Sequence, residues 1–171
     1  MRILLKIIFI VCLFTSSLYS YESEDKLKAV ILGKVAKYIE FKENNSSTFR
    51  ITVLNNQFGT LFDDIYHNKT IQSKPVKIQY IKDINELNAT DILFISSANS
   101  WLIGDILQKV ESRGLLSVSD LRGFAQKGGV LQLYFLGQKL KLKMNIDALK
   151  REGLDADNTL LRIVDIVKED N

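Results

Sequence analysis

Nucleophilic catalysis by a hydroxyl needs a base, and this chain has one histidine, His67. Any Ser-His-Asp arrangement would have to bring His67 to Ser96, Ser97 or Ser119. His67 lies in "DDIYHNK" at the expected end of a short helix, where a polar or cationic side chain complements the terminal carbonyls; that capping role is the expected one. Asp63 and Asp64 are too close in sequence to share a helix face and grip a divalent ion, so a solvated acidic turn is expected. The only cysteine, Cys12, stands in the apolar opening stretch. The "GG" of Gly128 and Gly129 lacks the spacing and the lysine of a phosphate loop. No cofactor is implied.

Polar binding groups are more plentiful than catalytic ones. Asn55-Asn56, Ser96-Ser97 and Ser119-Asp120 each follow a strand-like run, "FRITVL", "TDILFI" and "LLSV". In a parallel sheet such loops converge on one edge and could line a small polar pocket or meet a partner. Serine and aspartate are equally favoured as helix N-caps, and for Ser119 and Asp120 capping of a following helix is the preferred reading. Trp101, the only tryptophan, is expected to seal one end of the core, with a binding anchor as the alternative. Phe124 carries the same ambiguity between sealing the core and walling a pocket, and Leu160, Leu161, Ile163 and Val164 are read as core. Gly123, Gly128 and Gly129 read as backbone requirements at turns.

The elements that must position these residues follow from periodicity. Leu27, Val30, Ile31, Val35, Tyr38 and Ile39 recur at helical steps and predict an opening helix over Glu22 to Phe41 with one buried face. "NNQFGTLFDDIYHN" predicts a polar turn and a short helix, and "VKIQYI" after Pro75 an alternating strand. "SANSWLIGDILQKVES" predicts a capped helix ending near Gly114. Val130 to Leu136 and Lys139 to Met144, joined by Gly137-Gln138, predict a hairpin whose lysines 139, 141 and 143 shield an exposed sheet edge. Thr159 to Val167 predicts a closing helix. Strands alternating with helices specify an α/β fold: a mostly parallel central sheet flanked by helices and extended by a C-terminal antiparallel hairpin.

Residues 1–20 combine Arg2 and Lys6 with an apolar run and small hydroxyl residues, the pattern of a cleaved secretory signal peptide, with cleavage after Ser17 or Ser20. Residues 21–171 then form a single α/β domain. Two of the 23 basic residues leave with the leader, so 21 face 20 acidic ones. A nearly neutral chain offers no support for a nucleic-acid footprint, which needs a clustered basic face. Export would also remove Cys12, and with it disulfides and thiolate chemistry.

Several segments together resemble the YfiR family of periplasmic proteins. They are "KAVILGKVAKYIEF", "FRITVLNNQFG", "DILFIS", "LLSVSDLRGFAQKGGVLQLYFLGQKLKLKMNIDALKREGL" and "LLRIV", in the family's order. The long piece, with Ser119, Asp120, Gly123, Phe124, Gly128 and Gly129, is the most specific. The resemblance implies a regulator that binds the periplasmic part of an inner-membrane diguanylate cyclase and represses it; release raises cyclic di-GMP and favours biofilm formation. Thiol-based sensing is not implied, because the exported chain would have no cysteine. Phe41-Lys42 also stands where relatives often have Trp-Pro. A periplasmic small-molecule sensor using the loops after the parallel strands is the alternative function, and a homodimer is left open.

Overall fold

Branched and aromatic side chains fill Phe49–Leu54, and this segment is the strand around which the sheet is organised. The computed structural model describes residues 24–42 and 46–168. The leader expected over residues 1–20 lies outside them. In chain order the strands are β1 (Ile39–Glu40), β2 (Phe49–Leu54), β3 (Thr70–Ile71), β4 (Lys74–Ile81), β5 (Ile92–Ile95), β6 (Leu116–Ser119), β7 (Leu131–Leu136), β8 (Lys139–Asn145), β9 (Asp155–Ala156) and β10 (Asp165–Val167). The helices are α1 (24–35), α2 (Leu61–Tyr66), α3 (Ile103–Val110), α4 (Ile146–Arg151) and α5 (Asn158–Leu161).

Eight strands form one sheet in the order β10-β8-β7-β6-β5-β2-β4-β3, and β1 pairs with β9 in a separate antiparallel ribbon. Strands β4, β2, β5, β6 and β7 run parallel. The chain leaves β2 for β4 on one side, then crosses back to β5 on the other and proceeds outward through β6 to β7. The direction of winding therefore reverses between β2 and β5. Connections diverge from that point, leaving a crevice outside the carboxyl ends of these two strands.

Alternation along the strands divides the apolar residues between two cores. Ile51, Val53, Ile92, Phe94, Leu116 and Val118 face α1, α2 and α4. Leu54, Leu93 and Ile95 face α3 together with Ile103, Ile106 and Val110. Helices on both sides of a mostly parallel sheet make the α/β architecture, and the hairpin β7–β8 extends it as expected, turning at Gly137 with φ +61°.

Four local expectations are corrected. The opening helix stops at residue 35, passes through a 3-10 turn at Ala36–Tyr38 and becomes β1. Its buried stripe is Asp25, Lys28, Ala29, Leu32 and Val35, while Leu27 and Tyr38 are exposed. The β8 edge is only partly left to its lysines, because β10 pairs with Lys143–Asn145 while Lys139 and Lys141 lie beyond that pairing. Thr159 to Val167 was expected to be helical, but the last helix ends at Leu161 and Asp165–Val167 is the strand β10; Ile163 is 66% exposed, whereas Leu160 and Val164 are buried. Finally, no helix follows Ser119-Asp120. Residues 121–128 form a bend and successive turns, with Gly123 at φ +79° and Gly128 at φ +97°, a backbone region that favours glycine and interrupts helical propagation.

Candidate functional site

At the crevice, Asn55 follows β2 in the left-handed conformation, φ +52°, which asparagine tolerates because its side chain can bond locally. Its amide N–H donates to the Ile81 carbonyl at 2.8 Å, closing the ends of β2 and β4 together. Its side-chain Nδ2 donates to Oδ1 of Asn99 at 2.6 Å. This bond crosses from the loop after the first parallel strand to the loop after the third, at the point where the winding reverses. Asn56 turns inward on its own loop: Oδ1 accepts from the Phe58 amide and Nδ2 donates to the Gly59 carbonyl.

The segment after β5 is a 3-10 helix, Ser97–Leu102, that runs into α3. Ser96 caps it, its Oγ accepting from the Ala98 amide. Ser96 Oγ also donates weakly to Gln57 Oε1, 3.5 Å away. The Ser97 amide donates to Oδ1 of Asp120 at 2.7 Å. Asp120 thus helps to fix the start of the helix after β5, not one of its own. Its other oxygen accepts from Lys28 Nζ at 2.9 Å, and the same ammonium donates to Asp25 at 3.1 Å. All three loops are therefore linked along one sheet edge, through Asn55–Asn99, Gln57–Ser96 and Ser97–Asp120.

Trp101 emerges from this 3-10 helix with its side chain in solvent, 78% exposed. The expected seal on the core is corrected: the short helix that carries it directs it away from both cores. Trp101, Tyr80, Asn55, Asn56, Gln57 and Asn99 line an open groove of about 570 Å³. The Tyr80 hydroxyl donates to Asp63 at 2.6 Å, and desolvation together with that carboxylate pushes its pKa well above the ordinary phenol value.

The other candidates lie elsewhere. Ser119 is completely buried, and its Oγ accepts from the Leu121 amide in a local turn. Phe124 is completely buried in the α3-side core, covered by Gly129, and is not a groove wall. His67 ends α2, which returns toward the starting end of β4, whereas Ser96, Ser97 and Ser119 stand at the finishing ends of their strands. No Ser-His-Asp arrangement is assembled among the described residues. Among the described residues no group of three or more His, Cys, Asp or Glu could hold a metal ion, and no helix is long and apolar enough to cross a membrane. Sequence reasoning passed over Gln57, Tyr80 and Asn99. Tyr80 and Gln57 could have been found by applying the convergent-loop rule to residues flanking β2 and β4, but Tyr80 reads as one more alternating strand residue.

The family profile described as YfiR/HmsC-like matches residues 25–164. The chain belongs to the YfiR/HmsC-like family. Membership supports, in general terms, a periplasmic regulator role. No curated protein matches this YfiR/HmsC-like chain in sequence. Among solved structures it is similar to the ABC domain in complex with L-Trp from Streptococcus pneumonia, at 9% identity and TM-score 0.54, covering 79% of this chain and 59% of that one. It is also similar to a conserved domain protein from Vibrio cholerae, at 9% identity and TM-score 0.54, covering 70% and 54%. A third is a substrate-binding protein with adhesive properties from Clostridium difficile, in its ligand-free, open form, at 13% identity and TM-score 0.51, covering 71% and 55%. The likeness is one of fold, and the YfiR/HmsC-like chain spans a little over half the length of each.

Proposed function

We propose that this protein is a periplasmic regulator that reversibly binds a membrane signalling enzyme, a diguanylate cyclase, and holds its output down. Membership of the family across residues 25–164 supports regulation, and the observation that carries a binding role is Trp101. A tryptophan 78% exposed beside a groove is the residue type that most often anchors protein interfaces. The bond between Asn55 and Asn99 fixes that edge before any partner arrives, which lowers the ordering cost of association. Repression then needs no bond-making. The regulator binds the inactive conformation of its target more tightly than the active one, and its power is limited by that difference.

Periplasmic cross-linking followed by identification of the captured protein tests this reading, alongside cyclic di-GMP measured with and without the gene. A membrane cyclase captured by the wild type and lost in Trp101→Ala supports it. An unchanged nucleotide level with no membrane partner would defeat it.

A second reading is that the groove at the reversal of winding holds a small molecule. Its position favours this, because open α/β sheets bind ligands in the crevice at such points. Binding there would make the protein a sensor, with or without a protein partner.

A further inference from the structure

The groove beside Trp101 continues into a smaller hollow of about 130 Å³, and the two share Asn55, Lys82 and Asn99. Beyond the shared residues the second hollow is lined by the polar Asp83, Asn85, Asp105 and Lys109 and by four apolar side chains, Leu102 and Ile106 among them. The lysines 82 and 109 match the aspartates 83 and 105 in number, so the lining carries no net charge. A balanced lining gives no long-range preference for a phosphate or a polyamine.

The remaining chemistry is specific in another way. One end offers aromatic faces, Trp101 and Tyr80, both exposed. The middle is built of planar amides that hold donors and acceptors side by side. Asn55 uses its Nδ2 on Asn99, while among the described residues no bond uses its Oδ1; Gln57 uses its Oε1 on Ser96 and likewise keeps Nε2. The far end adds the Asp105 carboxylate and the Lys109 ammonium, one of whose protons already goes to Asn85 at 2.7 Å; such groups accept from and donate to hydroxyls. A ligand that suits all three has one apolar face, many hydroxyls able to donate and accept, and no charge.

We infer that this groove is a saccharide site, taking a short neutral oligosaccharide with one pyranose ring stacked by its C–H face on Trp101 and its further hydroxyls reaching Asn55, Gln57 and Asp105. The assignment rests on the reading of the groove as a ligand site. Asn55, held by its bonds to Ile81 and Asn99, forms a rigid floor, while Trp101 is the platform.

Because Trp101 is the only tryptophan, its fluorescence reports the site directly. The chain without residues 1–20 is titrated with chitotriose and cellotriose, and in parallel with a panel of free amino acids and nucleoside monophosphates. The expected result is a blue shift of the emission and protection from acrylamide with a trisaccharide only. By calorimetry, Trp101→Ala abolishes that binding and Trp101→Tyr keeps it, while Asn55→Ala and Asp105→Ala each weaken it about fivefold or more. Circular dichroism of each variant establishes that it is folded. A response to amino acids or nucleotides but to neither trisaccharide overturns the saccharide assignment and leaves the ligand-site reading standing. Silence toward every compound removes both, and chitotriose binding undiminished in folded Trp101→Ala overturns the stacking.

Discussion

Lys28 Nζ and Asp120 Oδ2 stand 2.9 Å apart, joining α1 to the loop after β6 across 92 positions of sequence. Both side chains are largely withdrawn from solvent. The remaining Asp120 oxygen holds the Ser97 amide, the first residue of the 3-10 helix that carries Trp101. One carboxylate therefore couples the opening helix to the edge of the proposed site.

Lys28 is shared with Asp25, so removing the lysine strands two carboxylates in a poorly solvated place, whereas removing Asp120 leaves the ammonium one partner. Asp120→Ala, which leaves Lys28 paired with Asp25 alone and frees the Ser97 amide, is expected to destabilise the fold by about 2 kcal/mol, and Lys28→Met, which strands both Asp25 and Asp120, by more, about 3 kcal/mol. Guanidinium unfolding of the three proteins checks the order.

The same pair sets an alkaline limit. Burial alone pulls the Lys28 pKa down, but hydrogen bonds and attraction from Asp120 and Asp25 outweigh it, leaving it above the ordinary 10.5. The Tyr66 phenol, buried and donating to the Ala29 carbonyl, is pushed above its ordinary 10.0 chiefly by desolvation. In both groups the folded state keeps its proton longer than the unfolded chain. Their stabilisation is complete below the unfolded pKa values and is lost as pH rises through the folded ones. Urea midpoints are expected to show no loss from these groups below about pH 10 and to fall above it, with a shallower fall in Tyr66→Phe. Because Tyr80 and Tyr134 are also raised, the tyrosinate absorbance that disappears in Tyr66→Phe identifies the share of Tyr66.

Gly129 has no room for a methyl group, since a Cβ there would lie 2.1 Å from Cε1 of the buried Phe124 ring. Gly129→Ala should cost about 3 kcal/mol, near the upper end for overpacking. Adding Phe124→Leu, which withdraws the ring, should restore part of the loss in thermal melts.

Asn145 is completely buried and serves two segments: Oδ1 accepts from the Ala148 amide at the start of α4, and Nδ2 donates to the Ala125 carbonyl at 2.7 Å. Asn145→Ala should cost about 2 kcal/mol from the lost cap and the stranded carbonyl. Asn145→Asp, which keeps the cap but sets a carboxylate against that carbonyl, should be no better at neutral pH. Denaturant midpoints separate the two.

Exposure separates function from stability at Trp101. Trp101→Ala should change unfolding free energy by no more than about 0.5 kcal/mol and still lose partner capture. His67→Ala should change neither quantity, as measured by the same melts and cross-linking.

How much of this was legible beforehand varies with the range of the interaction. The strand in Phe49–Leu54 and the β7–β8 hairpin follow from alternation and turn chemistry. The convergence of the Asn55, Ser96 and Asp120 loops on one edge follows from parallel crossovers. The buried face of α1 was misplaced because the stripe includes Asp25 and Lys28, and a period counted on apolar residues alone misses a buried ion pair. The absent helix after Asp120 has a similar cause. Ser119 does take up the Leu121 amide as a cap would, but Asp120 is drawn to Ser97 and Lys28, and Gly123 and Gly128 break the following run into turns.

The sequence by itself determined the α/β class, the strands β2, β4, β5 and β6, the β7–β8 hairpin and which loops would share an edge, because these depend on side-chain period, steric preference and chain direction over a few neighbouring residues. Only the tertiary structure decided that Trp101 faces solvent, that Phe124 fills a core and that Asp120 bonds to Lys28 and Ser97. Those outcomes depend on which distant surfaces pack together, and a local pattern carries no record of a contact made 92 residues away.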